Sequence, residues 1–480
     1  MSGSAPASHS QPGAAETPAE VWHRLLRPDV ELAPAFLAEL NARMRAERLT
    51  FGERIHCPFL RPFFLSAEDE QRVRAVAEAI AALGERVVKR SLADPRLLAQ
   101  SALSPEEERL ARIHPRYGTS STASRLDAFL LPDSLQFAEY NAESPAGLGY
   151  AETLAKVFLT LPVMQRFAEH YTVRGFPLMQ LMLAALLESY HEWGGTASPP
   201  VIAIVDWREV PTWSEFEIIQ ARFQKEGVTT VLADPRDLVF AEGRLTAHGQ
   251  RIDLVCRRVL INDIVARSAE CAALVNAYAA GAVCVANAFT CKIPHKKAFF
   301  AVLTDDQNSA LFSVSERELI RRHIPWTRLL ADSKTTRDGE SFGLLEYVRR
   351  RRENFVLKPN DEYGGTGVQL GWENDERQWD AALDRALAER ESAWVVQERI
   401  AIRREVFPMQ TENGVQMRDM LVDFAPYIFR GEMAGCLTRL SSTGLANVTS
   451  GGGQVPSFVV ERRSQAIESE NPNGNRMPPV

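Results

Sequence analysis

Three residues with oxygen-bearing side chains lie close together in the sequence: Asp127, Glu139 and Asn141. Mg²⁺ is usually held by one or two carboxylates or other hard oxygen ligands, together with water and substrate phosphates. Zinc would instead favour histidine or cysteine. The three residues are therefore the candidate ligands of a magnesium site. The alternative is an ordinary surface hairpin whose acids are solvated or paired with Arg125.

These side chains converge only if the chain folds back between them. The segments SRLDAFLL and LQFAEYN alternate apolar and polar residues around a turn, which predicts a β-hairpin. A turn centred on Asp133 pairs Asp127 with Glu139 and Arg125 with Asn141, all on one face. Two carboxylates that face each other across strands repel unless a positive charge lies between them. The hairpin therefore predicts a cation site.

A second group of residues could bind phosphate. In FVLKPNDEYGGTGV an apolar strand carries Lys358 and is followed by Gly364, Gly365, Thr366 and Gly367. Backbone N–H groups of such a loop can lie over phosphates while the lysine contacts their oxygens. The run is neither a Walker A motif nor a GxGxxG that opens a helix. It indicates a nucleotide loop of another kind, with a plain glycine hairpin as the alternative.

Three further segments carry candidate ligands for a nucleotide or substrate. Lys296 and Lys297 open the predicted helix KKAFFAVLTD, where the helix dipole does not favour cations, so a phosphate contact is one interpretation and a solvated turn the other. The strand WVVQERI ends in Gln397 and Glu398, which could hold an adenine edge and a ribose or be a common strand end. Arg439 could meet phosphate or be ion-paired within its strand.

Composition limits the function classes. A chain of 480 residues that is 45% hydrophobic can bury a large core, and its length favours two to four packed units. The net charge of −7 predicts no general attraction to nucleic acid or an anionic membrane. The six cysteines include no CxxC pair, and neither a signal peptide nor a membrane-length apolar run is recognisable. We therefore expect a cytoplasmic protein.

The hydrophobic periodicity divides the chain into regions. VIAIVDW, TTVLAD and IDLVCRRVL alternate with helices and predict a parallel sheet, whereas the segment around 271 to 303 is predicted to be helical, with a break at Pro294. The last third alternates like antiparallel strands. The predicted regions are 1–19, a disordered tail; 20–115, a helical lead-in; 116–195, part of the core with the metal-binding hairpin; 196–290, an α/β substrate-side subdomain; 291–462, the nucleotide-binding lid and core; and 463–480, a flexible tail.

The motifs resemble those of circularly permuted ATP-grasp proteins related to glutathionylspermidine synthase, over roughly residues 115–460. RLD and EYNAESP are similar to the R-x-D and E-x-N-A-[DE]-[ST]-P patterns of that family. The resemblance implies a mixed α/β and α+β chain with a circularly permuted ATP-grasp fold. It also implies a helical N-terminal region, a parallel-sheet subdomain like the pre-ATP-grasp domain, and ATP and Mg²⁺ as cofactors.

The resemblance also implies a role for each residue of the hairpin. Asp127, Glu139 and Asn141 would be magnesium ligands, and Arg125 would stabilise charge that develops on the transferred phosphate. The region before the hairpin departs from the bifunctional relatives, because it has no counterpart of their amidase domain. The substrate-binding parts do not allow glutathione or spermidine to be transferred to this chain.

The nucleotide ligands are carried over in the same way. HKKAFF resembles the NKALL helix of the family and makes Lys297 the first ATP-phosphate lysine. Lys358 and the loop through Gly367 resemble the second lysine and the lid. Gln397 and Glu398 match the stretch that holds adenine and ribose.

The implied chemistry is activation of a carboxylate by ATP to an acylphosphate, followed by attack of an amine. Arg125 and Arg439 are the candidate catalytic residues, and Glu143 is either a general base or a substrate-orienting or capping residue. The expected partners are small-molecule or peptide carboxylates and amines, without nucleic acid or membrane, in an undefined oligomeric state. The alternatives are a phosphotransferase on the same fold and a catalytically silent nucleotide-binding protein.

Overall fold

The computed structural model describes residues 16–52, 54–362, 364–390, 392–442 and 452–463. Most of the predicted tails, namely 1–15 and 464–480, lies outside the described residues. A helix nevertheless begins at Pro18, because Thr17 and Glu20 cap each other's backbone N–H groups. Within the described part of the chain, no helix is both long and apolar enough to cross a membrane.

The N-terminal region is mainly helical, as predicted, but it is not a separate unit. Its short strand at Phe63–Ser66 pairs in parallel with Ser457–Arg462 near the other end of the described chain. Most of its buried apolar side chains belong to the same hydrophobic core as those of the hairpin at 123–141. The elements are α1 (Pro18–Leu25), α2 (Pro34–Ala46), β1 (Thr50–Phe51), β2 (Arg54–Ile55), β3 (Phe63–Ser66), α3 (Ala67–Ala93), α4 (Pro95–Ala99) and α5 (Pro105–Ala111).

The predicted hairpin follows and is succeeded by helices that cover it. Its strands are buried on the core face by apolar residues at alternate positions, such as Leu126, Ala128 and Phe137. The elements are β4 (Ala123–Leu130), β5 (Leu135–Asn141), α6 (Leu148–Leu159), α7 (Pro162–Ala168), β6 (Tyr171–Arg174) and α8 (Leu178–Trp193).

The strand pairing of the hairpin confirms the predicted residue pairs, but, contrary to the expectation from the sequence, the strands do not pair around Asp133 all the way to the turn. Arg125 lies opposite Asn141, and Asp127 lies opposite Glu139. Closer to the turn, however, Ala128 lies opposite Phe137, which is one residue away from the pairing that a turn centred on Asp133 would give. The extra residue is Ala138, which forms a bulge in β5 and restores the expected register beyond it.

The predicted parallel sheet is present, with strand order β13-β12-β7-β8. One prediction was wrong: the segment around 271 to 303 is not helical throughout, because Cys284–Ala286 forms an edge strand that pairs with Leu254–Cys256. The elements are β7 (Ile202–Val205), α9 (Trp213–Lys225), β8 (Thr230–Ala233), β9 (Leu238–Ala241), β10 (Arg244–Ala247), β11 (Gln250–Arg251), β12 (Leu254–Arg257), α10 (Ile261–Ala266), α11 (Ala272–Ala279) and β13 (Cys284–Ala286).

The last third contributes strands to two larger antiparallel sheets, and Lys334–Arg337 pairs with Glu340–Gly343 in a separate two-stranded one. One has the order β14-β19-β17-β18, and the other is six-stranded, with the order β23-β22-β21-β4-β5 and β20 beside β21. The elements are α12 (Lys292–His295), α13 (Ala298–Thr304), α14 (Val314–His323), β14 (Thr327–Leu329), β15 (Lys334–Arg337), β16 (Glu340–Gly343), α15 (Leu344–Arg350), β17 (Phe355–Pro359), β18 (Gln369–Leu370), α16 (Glu376–Ala388), β19 (Trp394–Glu398), β20 (Arg404–Thr411), β21 (Gly414–Phe429), β22 (Glu432–Ser441), β23 (Gly453–Val455) and β24 (Ser457–Arg462). Short 3₁₀ helices cover Pro235–Asp237, Phe289–Cys291, Asp306–Leu311 and Arg352–Asn354.

Candidate active site

An open cavity lies between the six-stranded sheet and the four-stranded antiparallel sheet. Its polar lining contains every predicted site residue except Arg125, Asn141 and Gly367. Those that line it are Asp127, Glu139, Lys297, Lys358, Gly364, Gly365, Thr366, Gln397, Glu398 and Arg439. Arg125 and Asn141 reach the cavity indirectly, because each makes a hydrogen bond to one of its carboxylates.

Asp127 is held between two arginines. Its Oδ1 accepts a hydrogen bond from Nε of Arg125 at 2.8 Å, and its Oδ2 accepts one from Nη2 of Arg439 at 2.6 Å. Burial opposes ionisation of Asp127, but the two guanidinium groups outweigh it and hold the pKa of this carboxyl well below its usual range. In this structure the predicted metal ligand is therefore an ionised carboxylate with cationic partners.

Asp423 is a residue of this site that the sequence reasoning missed. It lies opposite Arg439 in the sheet and is 2% exposed. Its Oδ2 accepts a hydrogen bond from Nε of Arg439 at 2.6 Å, whereas its buried Oδ1 has no hydrogen-bond partner among the described residues. Burial raises the pKa of Asp423 to about 7. A lone acid within the apolar strand MLVDFAPYIF was the available signal.

The two adjacent lysines of the 296–297 pair have different surroundings. Lys297 lines the cavity, where its Nζ donates to the backbone carbonyl of Glu362 at 2.5 Å and lies 3.6 Å from Oε2 of Glu139. Lys296 is buried and paired with Glu107 and Asp361. Of the two, Lys297 is the one that lines the cavity.

Lys358 crosses from the four-stranded sheet towards the hairpin. Its Nζ donates to Oε1 of Gln397 at 2.7 Å and to the carbonyl oxygen of Ala138, the bulge residue, at 3.4 Å. Burial lowers the pKa of Lys358 to about 8. An anion in the cavity would therefore favour the charged form of this lysine.

The end of β19 only partly fits the expected adenine and ribose contacts. The backbone of Gln397 is paired with strands on both sides, the N–H of Glu398 donates to Trp326, and the N–H of Arg399 donates to Asn354. The N–H groups of Glu398 and Arg399 are therefore already bonded within the protein and are not free to bind an adenine edge. The Glu398 carboxylate lines the cavity and is ion-paired with an arginine of β15, Arg337.

The glycine-rich loop has a backbone that only glycine adopts easily. Gly364, Gly365 and Gly367 all have φ between +64° and +78°. A Cβ added at Gly367 would lie 2.7 Å from Cγ of Pro359, which is too close for a larger residue. Gly367 therefore shapes the loop, while Thr366 and its other two glycines line the cavity.

The loop after the hairpin is bound by protein groups. Gly147 has φ +101°, and its N–H donates to the buried carboxylate of Glu215 at 2.8 Å. The carbonyl oxygen of Ala146 accepts hydrogen bonds from Nη1 of Arg125 and from the hydroxyl of Tyr427, both at 2.8 Å. The turn thus positions Arg125 beside Asp127.

Glu143 is not placed to act as a general base. It is fully buried and forms ion pairs with Arg257 at 3.2 Å and Lys292 at 3.1 Å, and it accepts a hydrogen bond from the N–H of Ile261. Burial opposes its ionisation, but the neighbouring Lys292 and Arg257 lower its pKa overall. Of the roles considered from the sequence, a structural one fits Glu143 best.

Comparison with known proteins was made at the level of sequence families and of solved structures. The family model of circularly permuted ATP-grasp type 2 matches residues 66–441. A glutathione synthetase-like effector from Globodera pallida, in its apo form, superposes with a TM-score of 0.57 at 12% identity, over 90% of this chain and 99% of that chain. A putative γ-glutamylcysteine synthetase from Methylobacillus flagellatus KT gives a TM-score of 0.41 at 11% identity, over 80% and 88% of the two chains. Comparison with curated proteins found no match.

Proposed function

This chain belongs to the circularly permuted ATP-grasp type 2 family, and we propose that it is an ATP- and magnesium-dependent ligase that joins a carboxylate to an amine. The observation that carries the proposal is the convergence of two lysines, a glycine-rich loop, two arginines and two carboxylates at one cavity. Such a site would act by positioning its substrates and stabilising charge, without a covalent nucleophile.

The nucleotide is proposed to bind between the two antiparallel sheets. Lys297 and Lys358 would contact the phosphates, beneath the loop of Gly364, Gly365, Thr366 and Gly367. Apolar side chains on the same cavity wall would hold the adenine: Val356, Leu370, Trp372, Ile400 and Ile402. Gln397 would orient Lys358, to which it is hydrogen-bonded. Glu398 would bind the ribose once released from its arginine partner.

The oxygen ligands of the hairpin fit a magnesium ion. Among the described residues, no group of three or more histidine, cysteine or acidic side chains is placed to hold a metal. Magnesium does not need such a group, because one or two carboxylates with water and phosphate suffice. Asp127, Glu139 and the amide oxygen of Asn141 would hold it. When bound, it would neutralise negative charge on the nucleotide phosphates.

The proposed reaction has two steps. An oxygen of the substrate carboxylate attacks the γ-phosphorus of ATP, the bond to the β–γ bridging oxygen breaks, and ADP leaves. The amine nitrogen then attacks the acyl carbon, the bond to the phosphate oxygen breaks, and phosphate leaves as the nitrogen loses a proton. Arg125 and Arg439 would stabilise charge on the transferred phosphoryl group, since both flank Asp127.

The test is turnover of ATP with panels of amino acids, peptides and polyamines, with measurement of both ADP and amide product. We expect ADP release that depends on both a carboxylate and an amine, and we expect it to be lost in Asp127→Asn and Glu139→Gln. Asp419→Asn, on an exposed part of β21, is the control. ADP release with a stable phosphorylated product and no amine requirement would indicate a phosphotransferase. Binding of ATP without turnover would indicate a silent nucleotide-binding protein.

We also propose that different regions of the chain bind the nucleotide and the substrates. Residues 116–195 and 291–462 would hold the nucleotide and metal, and residues 196–290 would serve the substrates. A cytoplasmic location and small-molecule or peptide substrates remain predictions of the sequence, and fractionation of cells that express the protein would test the first.

A further inference from the structure

The four-stranded parallel sheet has a second place where a ligand would be expected. From β7 the chain proceeds to β8 on one side, and it later returns to β12 on the other side of β7. In open α/β sheets, ligands bind beyond the carboxyl ends of the strands at such a reversal of strand order. Asp206 directly follows β7, and Arg258 directly follows β12, so both stand at this point, which we call the switch-point crevice.

Arg258 is a buried cation that makes no direct ion pair with any described residue. It is 6% exposed, and its Nη1 donates to the carbonyl oxygen of Pro145 at 2.6 Å. Its Nε is buried and has no hydrogen-bond partner, and no carboxylate of the described residues lies within 4.0 Å of its guanidinium. Its neighbour Arg257, by contrast, is paired with Glu143. A buried charge without a counter-ion is strongly unfavourable, so Arg258 lacks an anion that the fold does not supply.

Asp206 is a buried acid that makes no direct ion pair with any described residue. It is 9% exposed and accepts a hydrogen bond from the N–H of Trp207 at 2.8 Å. In the described part of the chain, it forms no ion pair with Arg258 or with any other cation, and burial raises its pKa to about 6. Two opposite charges thus stand at adjacent strand ends, where Arg258 attracts Asp206 but neither makes a direct ion pair with a described residue, and a ligand that carries both charges would satisfy both.

The crevice lies next to the proposed phosphate-transfer site. The carbonyl oxygen of Pro145 accepts from Arg258, and that of the following residue, Ala146, accepts from Arg125. Arg258 and Arg125 therefore donate to the carbonyl oxygens of two consecutive residues. Arg125 is the arginine proposed to stabilise the phosphoryl group. A substrate held in the crevice would be close to the reacting atoms.

We infer that the switch-point crevice binds the zwitterionic head group of an amino-acid substrate, with its carboxylate on Arg258 and its ammonium group on Asp206. This inference rests on the proposed ligase function and names the class of one substrate. A phosphate would satisfy Arg258 but be repelled by Asp206, and a polyamine would leave Arg258 unpaired. The amino acid matches both charges.

The first test measures binding directly, by the melting temperature of the full chain with the common amino acids, propionate and propylamine. Because a ligand that binds the folded state stabilises it, at least one amino acid should raise the melting temperature. Propionate or propylamine alone should raise it much less at equal concentration. The inference is overturned if no amino acid shifts the melting temperature, or if either single-charge analogue shifts it as much.

The second test uses Arg258→Met and Asp206→Asn. Each should raise the dissociation constant of the amino acid about tenfold or more, because a charge-assisted hydrogen bond is lost. Asp206→Asn should leave the melting temperature without ligand unchanged, because the Asn oxygen can still accept from the N–H of Trp207. Arg258→Met also loses the hydrogen bond to Pro145, so its amino-acid binding is read at a temperature well below its own melting temperature. Arg244→Gln, at an exposed position of β10 in the same subdomain, is the control. A lower melting temperature with unchanged amino-acid binding would show that Arg258 has a structural role and would overturn the inference.

The two proposals fail in different ways. If the amino acid binds but the protein neither binds ATP nor transfers phosphate, the ligase function fails and the crevice stands as a binding site. If ATP is turned over with a carboxylate and an amine, yet Arg258→Met and Asp206→Asn leave every Michaelis constant unchanged, the crevice fails and the ligase function stands.

Discussion

Arg439 Nη2 lies 2.6 Å from Asp127 Oδ2, so a carboxylate proposed to bind magnesium is paired with a guanidinium in this structure. The same arginine is also ion-paired with Asp423. A metal ion would compete with Arg439 for Asp127, and Asp423 would then remain as the anchor of the arginine. The geometry suggests that metal binding and the position of Arg439 are coupled.

The coupling predicts two effects of Arg439→Met. Binding of Mn²⁺, as a stand-in for Mg²⁺, should become tighter without nucleotide, because a competing cation is removed from Asp127. Turnover should nevertheless fall by about 10²–10³, since a group proposed to stabilise the transferred phosphate is lost. Titration with Mn²⁺ and measurement of ADP release check the two effects. Arg418→Gln, at an exposed position of β21, is the control, and unchanged metal affinity in Arg439→Met would refute the coupling.

The lowered pKa of Lys358 should make the free energy of unfolding depend on pH. Its pKa is lowered to about 8 from an ordinary 10.5, so the unfolded chain binds this proton more tightly than the folded protein does. The lysine therefore destabilises the fold below about pH 8, and the effect fades as the pH rises towards 10.5. Lys358→Met should raise the free energy of unfolding at pH 7 by about 1 kcal/mol or more, and by less at pH 10.

Urea unfolding at the two pH values measures this difference. The matched control is Lys334→Met at an exposed position, which should change the free energy of unfolding little at either pH. An equal gain at pH 7 and pH 10 for Lys358→Met would count against a buried, charge-disfavoured lysine. The same variant should bind ATP more weakly, because the proposed contact of Lys358 with the phosphates is removed.

Neutralising the Glu143 carboxylate should lower the free energy of unfolding by a large amount. Glu143→Gln leaves Arg257 and Lys292 buried with less compensating charge, and breaking such a pair costs about 3–5 kcal/mol. Because the pKa of Glu143 is lowered from an ordinary 4.5, its contribution is present above that pH and is lost as the pH falls further. Urea unfolding at pH 7 should show the loss for Glu143→Gln and almost none for Glu373→Gln, an exposed control.

Replacing Gly147 by alanine should destabilise the fold through both steric contacts and backbone strain. The same replacement at Gly243 tests backbone strain alone. Gly147→Ala forces φ +101° on a residue with a Cβ, which would lie 3.2 Å from both Leu437 and Tyr427. Gly243 has φ +72° with no atom near its added Cβ. Gly243→Ala should cost about 1 kcal/mol from backbone strain, and Gly147→Ala about 2–3 kcal/mol. Equal losses in thermal unfolding would show that the loop adapts freely.

Local patterns predicted much of the fold. The three strands of the parallel sheet were predicted because each is a short apolar run bounded by turn residues, and the order of helices and strands implies parallel pairing. The edge strand Cys284–Ala286 was missed, because a three-residue apolar run cannot be told from a buried helix by its periodicity. The bulge at Ala138 was missed as well, since it leaves the pairing of Asp127 with Glu139 unchanged.

By itself, the sequence determined the hairpin, its two facing acids, the lysine strand, the glycine loop and a family resemblance, because alternation and motif spacing are properties of neighbouring residues. Only the tertiary structure decided that Arg439 meets Asp127 from 312 positions away, that Asp423 shares this arginine, and that Lys297 rather than Lys296 lines the cavity. Such contacts depend on how sheets pack and which charges are buried together. That Asp206 and Arg258 make no direct ion pair with a described residue is likewise visible only in the tertiary structure, because it depends on which side chains surround them.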